Sequence, residues 1–446
     1  MNKNSFAILE YKAIYQEENC EIPHKDSEGN LVLPEKTFEA IESFYYANAD
    51  VQQYFAPAKK YGKKAFRAQN YVGIIQTKDG TTIEILPKIS SLKDDEKTED
   101  NPKPKTKEDK AKEILIKMLK TLKKSPFKNF NMAHLKSSKM PLLEIFITMF
   151  LEELSKLIKK GIKSDYVSLE DNLKFLKGKL KINDQIKKNS IHKERFYAEY
   201  QEFMSDRAEN RLIKTTLAYL YKKSRTNANQ QRIREFLFVF DDIPLCKDVK
   251  ADFLHVKPNR QMKDYEQVLL WCKTFLLENA FSPYKGKDVA FALLFDMNLL
   301  FESYVGHHLK KQGYDVELQD KLHHLCHQEN QGKFQLKPDI VIDNGAKIAD
   351  TKWKLLGEDK THQGISQADM YQLYAYGTKY KNCKKLFLIY PFNGLEKSIS
   401  YDYFNDANAI GYIKEGNTWE AKGILRLDVV FVDVTQEKPD IKLPLK

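Results

Sequence analysis

Two β-forming runs, Leu336-Lys337-Pro338-Asp339-Ile340-Val341-Ile342 and Lys347-Ile348-Ala349-Asp350-Thr351-Lys352-Trp353, are separated by Asp343-Asn344-Gly345. Asp, Asn and Gly tolerate the positive φ of a tight turn, so the runs should close as a hairpin. Ten residues lie between Asp339 of the Pro-Asp and Asp350 of the Asp-x-Lys. A hairpin therefore carries both carboxylates and Lys352 to neighbouring strand ends. Two carboxylates can hold Mg²⁺, which prefers oxygen ligands and keeps its waters. A lysine beside them can orient, or help deprotonate, an attacking water. That is the equipment for metal-assisted phosphodiester hydrolysis. Strings this short also arise by chance in a lysine-rich chain, where they mark a solvated hairpin, so the flanking sequence has to decide.

The flanks supply a pattern. Ile365 to Gly377 reads as a helix closed by its glycine. Gln372 and Tyr376 stand at i and i+4 on it and share a face, where they orient Lys352, contact a phosphate, or simply pack. Lys385-Leu386-Phe387-Leu388-Ile389-Tyr390 before Pro391 reads as a buried strand. Upstream, Ala292 to Val305 has helical periodicity and carries Glu302, and Tyr314 to Leu318 reads as a strand. The expected order is helix, three strands, helix, strand.

The rest of the chain bounds the function class. Of 446 residues, 73 are Lys or Arg and 62 Asp or Glu, a net charge of +11. That balance favours a polyanionic partner such as nucleic acid. Five scattered cysteines, none in a C-x-x-C, suit a reducing cytosol better than a disulfide scaffold. The N-terminus lacks an apolar signal core, and no apolar run approaches membrane-spanning length. The expectation is a cytoplasmic protein with no membrane partner. No G-x-x-x-x-G-K-[ST] phosphate loop occurs, so a nucleotide-driven motor would have to come from another chain.

Along the chain, residues 1–110 read as a β-rich domain. Phe6 to Tyr11 forms a strand, Phe38 to Tyr46 a helix, and Asp79-Gly80 marks a hairpin. Its last part, 91–110, is polar and charged and should be a disordered loop. From Lys112 the pattern turns helical, with Ile114, Leu115, Met118, Leu119 and Leu122 on one face. Eight lysines and one glutamate fall between Lys112 and Lys139, either a solvated face or a surface for DNA or a partner. Further helices are expected after Pro141, over Ala208 to Lys223 and over Tyr265 to Leu277, so 111–278 should be mainly helical. His323-His324-Leu325-Cys326-His327 has no second Cys/His pair and reads as surface rather than as a zinc site.

These blocks together resemble the McrC family, the nuclease subunits of modified-cytosine restriction systems, within the PD-(D/E)xK nuclease superfamily. Gln372-x-x-x-Tyr376 matches the pattern that follows the Asp-x-Lys in the RecB-like branch. Phe295-Asp296-Met297-Asn298-x-x-Phe301-Glu302-x-Tyr304-Val305 looks like the helix that opens the family's nuclease domain. Tyr71 to Ile75, Thr82 to Ile89, Phe175 to Leu180 and Glu209 to Lys214 are similar to its earlier segments. The resemblance implies an α+β multidomain fold with a restriction-endonuclease-like core, αβββαβ, over 279–446. It also implies a DNA endonuclease acting on methylated or unmethylated DNA with a hexameric AAA+ GTPase of the McrB type, contacted through 1–110. Asp339, Asp350 and the Thr351 carbonyl would bind Mg²⁺. Lys352 would hold the water, with Glu302, Gln372 and Tyr376 in support. Two other readings remain open: a regulatory activator of the AAA+ partner, and a stand-alone RecB-like exonuclease.

Overall fold

The computed structural model describes residues 5–17, 20–50, 52–89, 92, 105–123, 125–128, 140–256, 260–277, 289–358, 360–380, 382–394, 399–404, 412–415, 418–421 and 424–444. The chain is mixed α/β and forms two compact units. One gathers residues 3–139 and 284–446, the other residues 140–283.

In the first unit, the N-terminal residues build two sheets around one helix. The strands Ser5–Leu9, Thr82–Leu86, Tyr71–Thr77 and Val289–Asp296 form a four-stranded sheet in that spatial order. A five-stranded sheet carries Ala13–Gln16 at its centre, between Leu31–Leu33 and Lys63–Ala68. The helix Glu35–Asn48 contributes Phe38, Ile41 and Phe44 to a core shared with Ile14, Phe55, Phe66, Ile75, Ile85 and Leu294. The Asp79-Gly80 turn forms as expected, with Gly80 at φ 88° and Thr77 N–H donating to Thr81 O at 2.9 Å.

Several sequence expectations shift. Ala292 to Phe295 belong to the strand Val289–Asp296, and the helix starts only at Met297, capped by Asp296, and runs to Lys311. A short apolar run buried on both faces has no periodicity that separates strand from helix. The helix expected from Lys112 starts earlier, at Lys107. Thr106 and Asp109 form a reciprocal capping box there, inside the stretch read as a loop. Residues 93–104 and 129–139 lie outside the described residues. Ile114, Leu115, Met118 and Leu119 are buried, and Lys112 Nζ pairs at 2.7 Å with the buried Glu84. Lys112 is thus half-buried and paired with Glu84 rather than part of a fully solvated basic face.

The C-terminal part of this unit is a six-stranded sheet in the order Val316–Leu318, Ile340–Ile342, Lys347–Thr351, Lys385–Pro391, Ile424–Val432, Ile399–Phe404. The first three pair antiparallel; Lys347–Thr351, Lys385–Pro391 and Ile424–Val432 run parallel. Asp343, Asn344 and Gly345 all adopt positive φ and close the hairpin between Ile342 and Lys347. The second helix is Gln367–Lys379, capped by Ser366. Gly377 lies inside it and does not end it. A Cβ there would collide with the Leu425 side chain, so glycine serves close helix–sheet packing. His324–Gln328 pairs with Gln331–Gln335 as an exposed hairpin, and among the described residues no three His, Cys, Asp or Glu are grouped to hold a metal.

The second unit is mostly helical. Leu142–Lys160, Ala208–Lys223, Asn227–Val239 and Glu266–Leu276 pack around Phe146, Phe150, Trp271 and Phe275. Glu144, buried, accepts hydrogen bonds from Ser224, Thr226 and Asn229 and so ties the first of these helices to the third. Within the stretch expected to be mainly helical lies a three-stranded sheet, Lys179–Leu180, Phe196–Met204 and Asp165–Leu173, whose surroundings leave Phe175, Leu176, Ile182, Ile186 and Phe203 exposed. No helix among the described residues is long and apolar enough to cross a membrane.

Candidate active site

The hairpin does what its turn residues require. Ile340 pairs with Ala349, so Asp339 and Asp350 sit at the same end of adjacent strands. Asp339 Oδ2 accepts from both the backbone N–H and the hydroxyl of Thr351, each at 2.8 Å. The Pro-Asp is thereby clamped onto the Asp-x-Lys. Asp350 is 1% exposed. Its Oδ2 is buried and lacks an aligned hydrogen bond, though Lys352 Nζ lies 2.5 Å away at ion-pair distance. Burial first, and the Asp339 carboxylate second, push the Asp350 carboxyl upward, while Lys352 pulls it back. Among the described residues, Lys352 is the one cation beside this buried acid, and it does not offset the combined effect of burial and Asp339.

Lys352 is held from three sides. Besides Asp350, its Nζ lies 3.9 Å from Asp369 Oδ1 and donates to Gln372 Oε1 at 3.4 Å. Burial favours the neutral amine, but Asp350, Asp339 and Asp369 outweigh it and raise the ammonium's pKa. Gln372 Nε2 donates to the Tyr376 hydroxyl at 2.8 Å, and that hydroxyl donates to Lys337 O at 3.1 Å. The helix face expected from the i, i+4 spacing thus bridges the lysine to the residue before Pro338. Asp369 was not foreseen. Its trace in the sequence is Ser366-x-x-Asp369, a helix-start signature whose acid also faces Lys352.

Glu302 is not a solvated helix charge. It is 7% exposed, and Gln319 Nε2 donates to its Oε2 at 3.1 Å. Burial, then the Asp339 charge, push it up to about 7. Gln319 also donates its backbone N–H to Asp339 O at 2.9 Å, so it links the helix acid to the Pro-Asp strand. Trp353 packs edge-on to Phe301, as a packing residue should, and its indole N–H donates to the buried Glu10 at 2.9 Å. Glu10 is 343 positions away, beyond any sequence pattern.

The cluster suits a hard divalent cation. Asp339 and Asp350 offer only oxygen donors, the Asp339 charge pushes both Asp350 and Glu302 upward, and the buried Asp350 oxygen has no aligned donor.

A family model described as McrBC 5-methylcytosine restriction system component matches residues 66–391. Among solved structures, Thermococcus gammatolerans McrC, seen bound to McrB AAA+ hexamers in a half-complex of a tetradecameric assembly, is similar over 97% of this chain and 95% of that one. The TM-score is 0.64 at 18% identity, a likeness of fold. A chain of the Thermococcus gammatolerans McrBC complex, from electron cryo-microscopy, aligns with 70% of this chain and 89% of its own, with a TM-score of 0.49 and 18% identity. No curated protein sequence matches the chain.

Proposed function

Because the chain belongs to the McrBC 5-methylcytosine restriction system component family, we propose that it is the nuclease subunit of such a system. It would be a Mg²⁺-dependent DNA endonuclease of the PD-(D/E)xK type, with its αβββαβ core over residues 279–446. The observation that carries this reading is the convergence of Asp339, the buried Asp350 and Lys352 at one end of the hairpin, with Gln372 and Asp369 holding the lysine.

Asp339, Asp350 and the Thr351 carbonyl would hold the ion. Bound there, it would offset charge on the phosphate and acidify a water. Lys352 orients the attacking water, and its ties to Asp369 and Gln372 fix the ammonium for that task. Tyr376 holds Gln372 and, through Lys337 O, the Pro-Asp segment. Glu302 lies close enough to Asp339 and Asp350 to respond to their charge, and positions a water or adds a ligand.

The motor would be a separate McrB-like AAA+ GTPase hexamer, contacted through residues 1–110 and stimulated by this chain. The similar Thermococcus gammatolerans McrC bound to McrB AAA+ hexamers supports that pairing. The test is cleavage of methylated and unmethylated duplexes by the chain together with the AAA+ protein encoded beside it. Cutting should require both proteins and Mg²⁺ and should stop with EDTA. Full nucleotide hydrolysis by the pair without any cutting would favour the regulatory reading instead.

A further inference from the structure

One residue after Lys352 a cavity of about 190 Å³ opens, lined by Tyr11, Lys88, Trp353, Lys354, Leu355, Lys360 and Pro391. It sits at the carboxyl ends of two parallel neighbours, since Thr351 and Pro391 end the paired strands Lys347–Thr351 and Lys385–Pro391. Crevices at that end of parallel strands are where α/β sheets take ligands. Three of the seven lining residues are lysines. Lys354 Nζ donates to Gly364 O and Lys360 Nζ to Leu355 O at 3.4 Å, both backbone carbonyls. Among the described residues none of the three has a carboxylate at ion-pair distance, although many lysines elsewhere in the chain do. Three lysines lining one cavity without a carboxylate at ion-pair distance concentrate positive charge that a bound anion would offset.

The acid nearest the wall does not fill that role. Glu10 accepts from Trp353 Nε1 and from the Lys88 backbone N–H, burial pushes its carboxyl up against the pull of Lys88, and none of the three cavity ammonium groups lies at ion-pair distance from it. Tyr11 supplies an aromatic edge. It is 43% exposed and held at φ 65°, a left-handed conformation that a bulky side chain adopts only at a cost. Such strain, held by its surroundings, is characteristic of ligand clamps.

We propose that this cavity binds a backbone phosphate of the nucleic-acid strand, next to the phosphodiester held at Asp350 and Lys352. Lys88, Lys354 and Lys360 contact the phosphate, and Tyr11 packs against the adjoining sugar or base. The inference rests on the nuclease reading of the neighbouring site and adds to it a subsite that sets the strand's register.

The test is fluorescence anisotropy of a labelled short duplex with the full-length chain, in EDTA, over a salt series. The variant Lys88→Ala/Lys354→Ala/Lys360→Ala is compared with Lys36→Ala/Lys78→Ala/Lys222→Ala, which removes the same charge elsewhere. The cavity variant should bind about tenfold more weakly at low salt, with a log–log salt slope shallower by about one, the loss of one phosphate contact. The control should keep the wild-type slope. Arginine at all three cavity positions should retain affinity and guards against a folding defect. Equal losses in cavity and control variants would overturn the proposal. So would a cavity variant that loses only competition by inorganic phosphate, a result that marks a free-phosphate site. The two readings fail separately: normal cutting by Asp350→Ala removes the nuclease assignment whatever the cavity variant does.

Discussion

At the residue scale the candidate site depends on a few polar contacts. Gln372 touches Lys352 rather than the reacting groups, so Gln372→Ala should lower cleavage by about 10–100-fold, the usual cost of losing a supporting partner. Tyr376→Phe removes only the hydroxyl between Gln372 and Lys337 O and should cost less. Single-turnover cleavage rates separate the two. Glu10 gives a stability prediction. It is pushed up to about 8, chiefly by burial, with Asp296 adding to the rise and Lys88 and Trp353 opposing it. Between the ordinary 4.5 and about 8 the unfolded chain sheds a proton that the folded chain keeps. Stability should therefore fall as pH rises through that window, by up to about 1.4 kcal/mol per unit from this group. Glu10→Gln should flatten the fall, read from urea midpoints at about pH 5 and about pH 8. Asp339, Asp350, Lys352 and the Gln372/Tyr376 pair were legible because each lies in a short motif. Gln319, Asp369 and Glu10 were not, because their roles depend on contacts that only the tertiary fold creates.

At the element scale, the Val289–Asp296 strand connects the N-terminal sheets to the site. It pairs with Tyr71–Thr77, and Asp296 then caps the helix that carries Glu302 while also accepting from Asn70 at 3.0 Å. Gly73 faces this strand at φ 138°, and a Cβ there would collide with the backbone carbonyl of Leu293. Only backbone movement could relieve that clash. Gly73→Ala should destabilise the chain by roughly 2 kcal/mol or more and reduce cleavage as well, because the strand that leads into the Glu302 helix is displaced. Denaturant melts and cleavage rates check both. The strand escaped the sequence reading because Ala292 to Phe295 is apolar throughout, and periodicity is silent when both faces are buried. The hairpin was readable for the opposite reason: its turn needs Asp, Asn and Gly where they stand.

At the scale of the whole molecule, the first unit is assembled from both ends of the chain, with residues 140–283 clustering separately between them. Composition does not record such an interruption, so the sequence shows three consecutive segments. A truncation near residue 275 would strip the Val289–Asp296 strand from its sheet, so the proposed nuclease and partner functions are better separated by point variants of the intact chain. The isolated chain should bind DNA weakly, with little sequence preference and a steep loss of affinity with salt. Its net charge of +11 supplies phosphate contacts, but its sequence shows no helix-turn-helix or zinc finger to read base edges. Titration of methylated and unmethylated duplexes at several salt concentrations tests this. Tight, salt-insensitive binding to one sequence would reveal a reader within this chain.

The most direct measurement is made on full-length Asp350→Ala, assembled with the AAA+ partner and Mg²⁺ and assayed in parallel for duplex cleavage and for stimulation of nucleotide hydrolysis. Asp350 is a buried acid without an aligned donor, so its loss removes the proposed metal ligand and no core packing anchor. Cleavage should fall below detection while the stimulation stays at the wild-type level. Near-normal cutting by this variant would contradict the account at its centre.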